Sequence, residues 1–284
     1  MKKVITYNPN DNTIMGIISS LKVVDDNLII WDTKNKPIYD MIDEIKPELM
    51  FLDSQQITPI ILEALNNNKD IKVVLFGLSY YQQINPTLIL LNDDISKSVM
   101  TQFQKNGCPY YIIKKAANIA QYTNGQVIDS YFSDILYLSV DNPQQNPHIL
   151  EILISLSKQK YRLKICGQYP ILLSSYLGRT TIKDMTNLML STKIGIDFDG
   201  SMLYNYIANG VFCISSVKNE YMPCFNHRGS LEDTLAHFLN DQSLRDDWTI
   251  PAQKKVLSEH TYFHRLKDIL QILELNDLAD KCDK

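Results

Sequence analysis

Residues 197 to 201 read DFDGS, and more than one chemistry is compatible with them. Asp197 and Asp199 form a D-x-D pair whose hard carboxylate oxygens suit Mg²⁺ or Mn²⁺. The competing reading has Asp197 facing a crevice or capping a turn and Asp199 capping the helix that follows. Asp199, Gly200, Ser201 and Met202 also run into an apolar helical stretch, as a phosphate-cradling loop does. Backbone N–H groups at a helix start attract phosphate oxygens, and glycine permits close approach. Ser201 adds a hydroxyl. Elsewhere, Asp53 ends the apolar run LMFLD and precedes SQQ, a place from which a carboxylate can take a proton from a hydroxyl. Asn8, Asn10 and Ser54 follow strand-like runs on the same side. Gly167, Gln168 and Tyr169 follow another such run, where an aromatic ring can stack on a base, and Arg179 offers a charge to a diphosphate. Ser139, Val140 and Asp141 end a further run. Lys218 and His227 are loop candidates, and His260 and His264, four apart, lack a third ligand nearby.

The elements that must position these residues follow from apolar spacing. Short Val/Ile/Leu runs at 2–7, 28–31, 48–53, 71–76, 87–91 and 110–113 alternate with helical patterns. Ile14, Ile17, Ile18 and Leu21 share one helical face, and Ile38, Met41, Ile42 and Ile45 share another. Thr58 and Pro59 form a cap and first-turn pair, and the NDD at 92–94 is expected to cap a helix reaching Asn106. The pattern restarts after the polar AQYTNGQVIDSYFSD segment, with strands expected at 134–139, 161–166, 193–197 and 211–215. Helices are expected after Pro147, after Thr181 with Asp184, over 204–209, and after Ser230 with Asp233, before two closing helices. Continuous rather than alternating apolar runs imply parallel sheets buried on both faces. The expected fold is therefore α/β: an N-terminal domain over 1–128 and a C-terminal domain over 129–284, each a doubly wound parallel sheet, with ligands beyond the carboxyl ends of the strands.

Composition narrows the function classes. The chain has 284 residues, 45% hydrophobic and 21% charged, with a net charge of −4. Nucleic acid is not favoured as a partner on bulk electrostatics. No apolar stretch reaches the length of a membrane span, no signal peptide is expected, and five scattered cysteines without a C-x-x-C pair fit a reducing cytoplasm. Cys166 and Cys213 lie in apolar runs and are expected to be buried thiols.

The second half resembles the C-terminal domain of GT-B-type glycosyltransferases, particularly the CgeB-like (spore-maturation) group. The resemblance runs over 134–272 and rests on an ordered series: DILYLSVDNPQQNPHILEILISL, YRLKICG, YLGRTTIKDMTNLMLSTKIGID, SMLYNYIANGVFCISS, HFLNDQSLRDDW and VLSEHTYFHRLKDIL. In the first half, GCPYYIIKKAANIAQY is similar to the segment that ends that group's first domain. The resemblance implies two Rossmann-like domains facing a cleft. It implies a nucleoside-diphosphate sugar held mainly by the second and an acceptor held mainly by the first, with no obligatory metal or other cofactor. The donor-side candidates are then Gly167, Gln168, Tyr169, Arg179, Asp199, Gly200, Ser201, Met202 and Asn205. The acceptor side has Asn8, Asn10 and Ser54, with Asp53 as the base. The acceptor class is left open among glycan, protein, lipid and modified nucleobase. The sequence departs from the group at Asn205, where many relatives place a Glu that binds ribose hydroxyls, and at Met202 and Leu203, where an Arg is common. A catalytically degenerate binding or scaffold protein of the same fold is the alternative.

Overall fold

The computed structural model of the chain describes residues 1–6, 11–79, 81–107, 109–139 and 143–283. The elements in order are β1 (Lys3–Ile5), α1 (Asn12–Val24), β2 (Leu28–Ile30), α2 (Ile38–Ile45), β3 (Leu49–Asp53), α3 (Pro59–Asn67), β4 (Lys72–Phe76), α4 (Tyr81–Ile84), β5 (Leu88–Asn92), α5 (Lys97–Lys105) and β6 (Tyr110–Ile113). There follow β7 (Ser133–Ser139), α6 (Pro147–Ser157), β8 (Leu163–Gly167), α7 (Ile182–Leu190), β9 (Thr192–Asp197), α8 (Leu203–Ala208), β10 (Cys213–Ser215), α9 (Arg228–Phe238), α10 (Gln242–Glu259), α11 (Tyr262–Ile272) and α12 (Asn276–Ala279). They form two compact units: Met1–Lys115 with Tyr262–Lys284, and Ala116–Thr261.

Unit 1 is built on a parallel sheet in the order β2-β1-β3-β4-β5-β6, and unit 2 on a parallel sheet in the order β10-β9-β7-β8. The apolar runs account for this. All five residues of β3 and all seven of β7 are buried, as strands covered on both faces require. The helices start where their caps predict. Thr58 accepts from the Ile61 amide with Pro59 at the first turn, Asn146 accepts from Ile149 ahead of Pro147, and Thr181 accepts from Asp184. Two starts differ from expectation. The run at 92–94 does not cap α5: β5 extends through Asn92 and the cap is Ser96. α9 is capped by His227, whose ring accepts from the Ser230 amide while the Ser230 hydroxyl accepts from the His227 amide. Ser230 is thus the third helical residue, because the imidazole nitrogen fills the role expected of its hydroxyl.

The division of the chain also differs from a boundary at 128. Unit 1 ends at Lys115, and α11 and α12 return to it. α11 buries Tyr262, Leu266, Ile269 and Leu270 and packs along α1. The contact depends on Gly16, where an added Cβ would lie 2.1 Å from the Tyr262 ring. The Tyr111 hydroxyl donates to Asp268 at 2.6 Å and fixes α11 beside β6. An amphipathic stripe announces that a helix is covered, not which sheet covers it. The N-terminal strand is tied by a buried ion pair, Lys3 Nζ to Asp25 at 2.7 Å. Cys166 and Cys213 are buried free thiols, and no helix among the described residues is long and apolar enough to cross a membrane.

The Gly16 contact yields a test. Gly16→Ala should lower the unfolding free energy by about 1–3 kcal/mol through overpacking against Tyr262. Urea denaturation measures this, and an unchanged midpoint would contradict the close approach.

Candidate functional site

In each sheet one pair of neighbouring strands sends its connections in opposite directions. In unit 1 that pair is β1 and β3, and in unit 2 it is β7 and β9. Beyond the carboxyl ends at such a point the loops diverge and leave a crevice. The strand ends there are Asp53 on β3, and Ser139 and Asp197 on β7 and β9.

Asp53 is 2% exposed and lines a cavity of about 500 Å³ across the carboxyl ends of β3, β4 and β5. One of its oxygens accepts from the Gln55 amide at 2.9 Å and caps the turn Ser54–Gln56. Ser54 lines the same cavity, and Thr6 donates to Gln56 beside it. Asp53 and Ser54, predicted together, are therefore together. Asn8 and Asn10 lie outside the described residues, as do Val140 and Asp141. The cavity also draws in Asp11, Ser79 and Ser96, which sequence reasoning did not single out, and Asp94, which it read only as part of a helix cap. Asp11 left a signal as a capping residue three before Ile14, whose amide it receives at 3.0 Å.

Asp197 is built differently. It is 2% exposed, and both its oxygens are engaged within unit 2. The Gly200 amide donates to one at 2.8 Å, the Ser215 hydroxyl to the same oxygen at 2.8 Å, and the Met202 amide to the other at 3.0 Å. Gly200 has φ +79°, a left-handed conformation that glycine adopts without steric cost and that turns its N–H toward the carboxylate. Asp199 receives the Ser201 amide at 2.9 Å. The three amides expected to cradle phosphate at Gly200, Ser201 and Met202 thus all donate to carboxylates. The physical reason is local: a carboxylate two to five residues upstream reaches them before any ligand. Both oxygens of Asp197, the first carboxylate of the D-x-D pair, accept from groups of unit 2. Among the described residues no group of three or more His, Cys, Asp or Glu converges as a metal set. Burial, with the Asp199 charge next in importance, pushes the Asp197 carboxyl up to about 6 against the pull of its three donors.

Asn205 is also structural. It is buried, its side-chain oxygen accepts from the Asn118 amide at 2.7 Å, and its amide faces the Met202 sulfur at 3.6 Å. The oxygen expected to meet ribose instead ties α8 to the segment entering unit 2. Gly167 ends β8 so close to β7 that a Cβ would lie 2.6 Å from the Ser139 carbonyl oxygen. Beyond it, Gln168 and Tyr169 are exposed, and Arg179 donates to the Gln168 side chain at 3.4 Å. These two side chains, predicted independently, meet at the carboxyl end of β8. Among the histidines, His227 is the α9 cap, and His260 pairs with the Tyr221 hydroxyl at 2.6 Å. Lys218 is exposed.

Two measurements check these assignments. The folded Asp197 holds its proton to higher pH than the unfolded chain does. Unfolding free energy should therefore fall by about 1–3 kcal/mol as pH rises from about 4 to about 6. Asp197→Asn should flatten that segment; an unaltered slope would remove Asp197 as its source. Asn205→Ala should cost about 1–3 kcal/mol by leaving the buried Asn118 amide without its acceptor, read by chemical denaturation.

No family model matches the chain, and no curated protein matches it in sequence. Solved structures do match it in fold. Anabaena HepE in complex with UDP and glucose superposes with a TM-score of 0.62 at 11% identity, covering 96% of this chain and 99% of that one. The DNA-modifying enzyme β-glucosyltransferase, studied with and without its substrate uridine diphosphoglucose, gives 0.61 at 11%, covering 99% and 100%. A Listeria monocytogenes protein described as a putative UDP-N-acetylglucosamine 2-epimerase gives 0.53 at 10%, covering 96% and 97%. The chain has the GT-B fold, two Rossmann-like α/β units on parallel sheets.

Proposed function

We propose that this chain is a glycosyltransferase that moves a sugar from a nucleoside diphosphate to an acceptor hydroxyl. The single observation that carries the reading is the cavity across the carboxyl ends of β3, β4 and β5 with Asp53 in its wall, in a chain whose fold spans the whole length of two proteins that work with UDP or UDP-glucose. Unit 1 takes the acceptor. Its hydroxyl oxygen forms the new bond to the anomeric carbon, the bond from that carbon to the diphosphate oxygen breaks, and Asp53 receives the hydroxyl proton. Unit 2 takes the donor. With the 200–202 amides engaged, Arg179 and Gln168 are the groups offered to diphosphate and sugar hydroxyls, and Tyr169 is the ring offered to the base. The CgeB-like group remains the proposed subgroup, and no metal has a role in this scheme.

A second reading, a binding protein of the same fold without turnover, is favoured by Asn205, whose oxygen is held by Asn118 and is not offered to ribose. An epimerase on this scaffold would alter the sugar with no acceptor present.

Calorimetric titration with UDP, GDP and dTDP, with and without Mg²⁺, followed by an assay of nucleotide release from the matching sugar donors, separates the three. One nucleotide should bind without a Mg²⁺ requirement. Arg179→Ala should weaken it about tenfold. Asp53→Asn should lower kcat by about 10²–10⁴ while nucleotide affinity stays within about twofold. Binding without release supports the non-catalytic protein, donor conversion without acceptor supports the epimerase, and absence of binding by all three nucleotides counts against the transferase and the epimerase and leaves the non-catalytic binding or scaffold protein.

A further inference from the structure

The unit 1 cavity has a charge character that goes beyond its position. Asp11, Asp53 and Asp94 line it, and none of the described residues lining it is Lys, Arg or His. The nearest cations in sequence, Lys97, Lys114 and Lys115, are not among the described lining residues.

Anion binding at such a strand-end crevice ordinarily uses backbone amides at helix starts. Here carboxylates hold those places. Asp11 accepts from the Ile14 amide at the start of α1, and Asp53 accepts from the Gln55 amide at the start of the following turn. The start of α5 opens on the cavity through Ser96, with Asp94 two residues ahead. An acidic ligand would meet three carboxylates, one of them almost fully buried, and no Lys, Arg or His among the described residues of the lining. A sugar ring meets what it needs. Ser54, Ser79 and Asn92 offer donors and acceptors to hydroxyls, carboxylates accept from them, and Phe76 and Leu91 give an apolar surface for ring C–H groups. The volume of about 500 Å³ lies within the span of small-molecule pockets.

We propose, resting on the transferase reading above, that the acceptor is a sugar free of acidic groups, neutral or amino-bearing, and that this cavity excludes uronate, phosphorylated and nucleic-acid acceptors by charge.

The test is an NMR titration of the full chain with three methyl glycosides of matched ring, one neutral, one 2-amino and one uronate, in both the gluco and galacto series. The same titrations are run on Asp94→Lys and Asp94→Asn. Asp94 is exposed, so both variants should fold. The neutral and amino glycosides should shift resonances of the cavity residues, with the uronate at least about tenfold weaker. Asp94→Lys should narrow that gap by about fivefold or more, and Asp94→Asn should narrow it less. Uronate binding as tight as the neutral glycoside overturns the proposal, as does failure of all three to bind or a gap unmoved in both variants. UDP, GDP and dTDP titrated into the same samples separate the two readings. Nucleotide binding without glycoside discrimination removes the charge selection alone. Discrimination without nucleotide binding removes the transferase reading and leaves the cavity as a saccharide site.

Discussion

The Asp197 carboxylate organises the carboxyl end of the unit 2 sheet. It gathers two loop amides and the Ser215 hydroxyl, so one buried group joins the end of β9, the loop into α8 and the end of β10. Removing a carboxylate from water is unfavourable unless its oxygens are met by donors, and here all three donors come from unit 2. The geometry of that loop sets where α8 begins, and α8 in turn carries Asn205 to the Asn118 amide. Tyr206, one residue on, fills the space left by Gly195, where a Cβ would sit 2.7 Å from its ring. The chain entering unit 2 is held through this series of contacts together with Ala117, Ile119 and Tyr122, which pack on the unit 2 core.

Asp53 and Asp197 stand at corresponding places, each ending a strand beside the switch point of its own sheet. Their surroundings give them different work. Asp197 is enclosed by donors from three directions, which makes it a structural fixture. Asp53 caps a short turn and also forms part of a cavity wall. The same residue type at the same topological position is therefore a fixture in one unit and a candidate base in the other. The difference lies in what the following residues do. Gly200 folds the chain back over Asp197, whereas the turn after Asp53 leaves the crevice open.

The likeness to GT-B structures at about one residue in nine identical is physically reasonable. Parallel sheets need continuous apolar strands and amphipathic helices, and many sequences satisfy both. What such likeness leaves free is the chemistry of the strand ends, where this chain places carboxylates against its own amides at 197–202 and around the unit 1 cavity. The fold is shared at that level of patterning, while the charge at the two crevices is particular to this sequence.

By itself the sequence determined the alternation of strands and helices, the helix starts at Thr58-Pro59, Pro147 and Thr181, and the burial of Cys166 and Cys213. These depend on residue type and near-neighbour spacing, which act over one or two turns of chain. It also placed Asp53 and Ser54 at a strand end, because the apolar run stops there. Only the tertiary structure decided that α11 belongs to unit 1, that Asn205 meets Asn118, and that Asp11 and Asp94 share a cavity with Asp53. Each of those pairings joins residues far apart in the chain, and a helical stripe or a lone polar residue carries no information about its distant partner. The 200–202 loop lies between the two cases. Its phosphate-like pattern was legible, but its amides go to Asp197 and Asp199 because a carboxylate fixed in the same loop is always within reach, whereas a ligand must displace it.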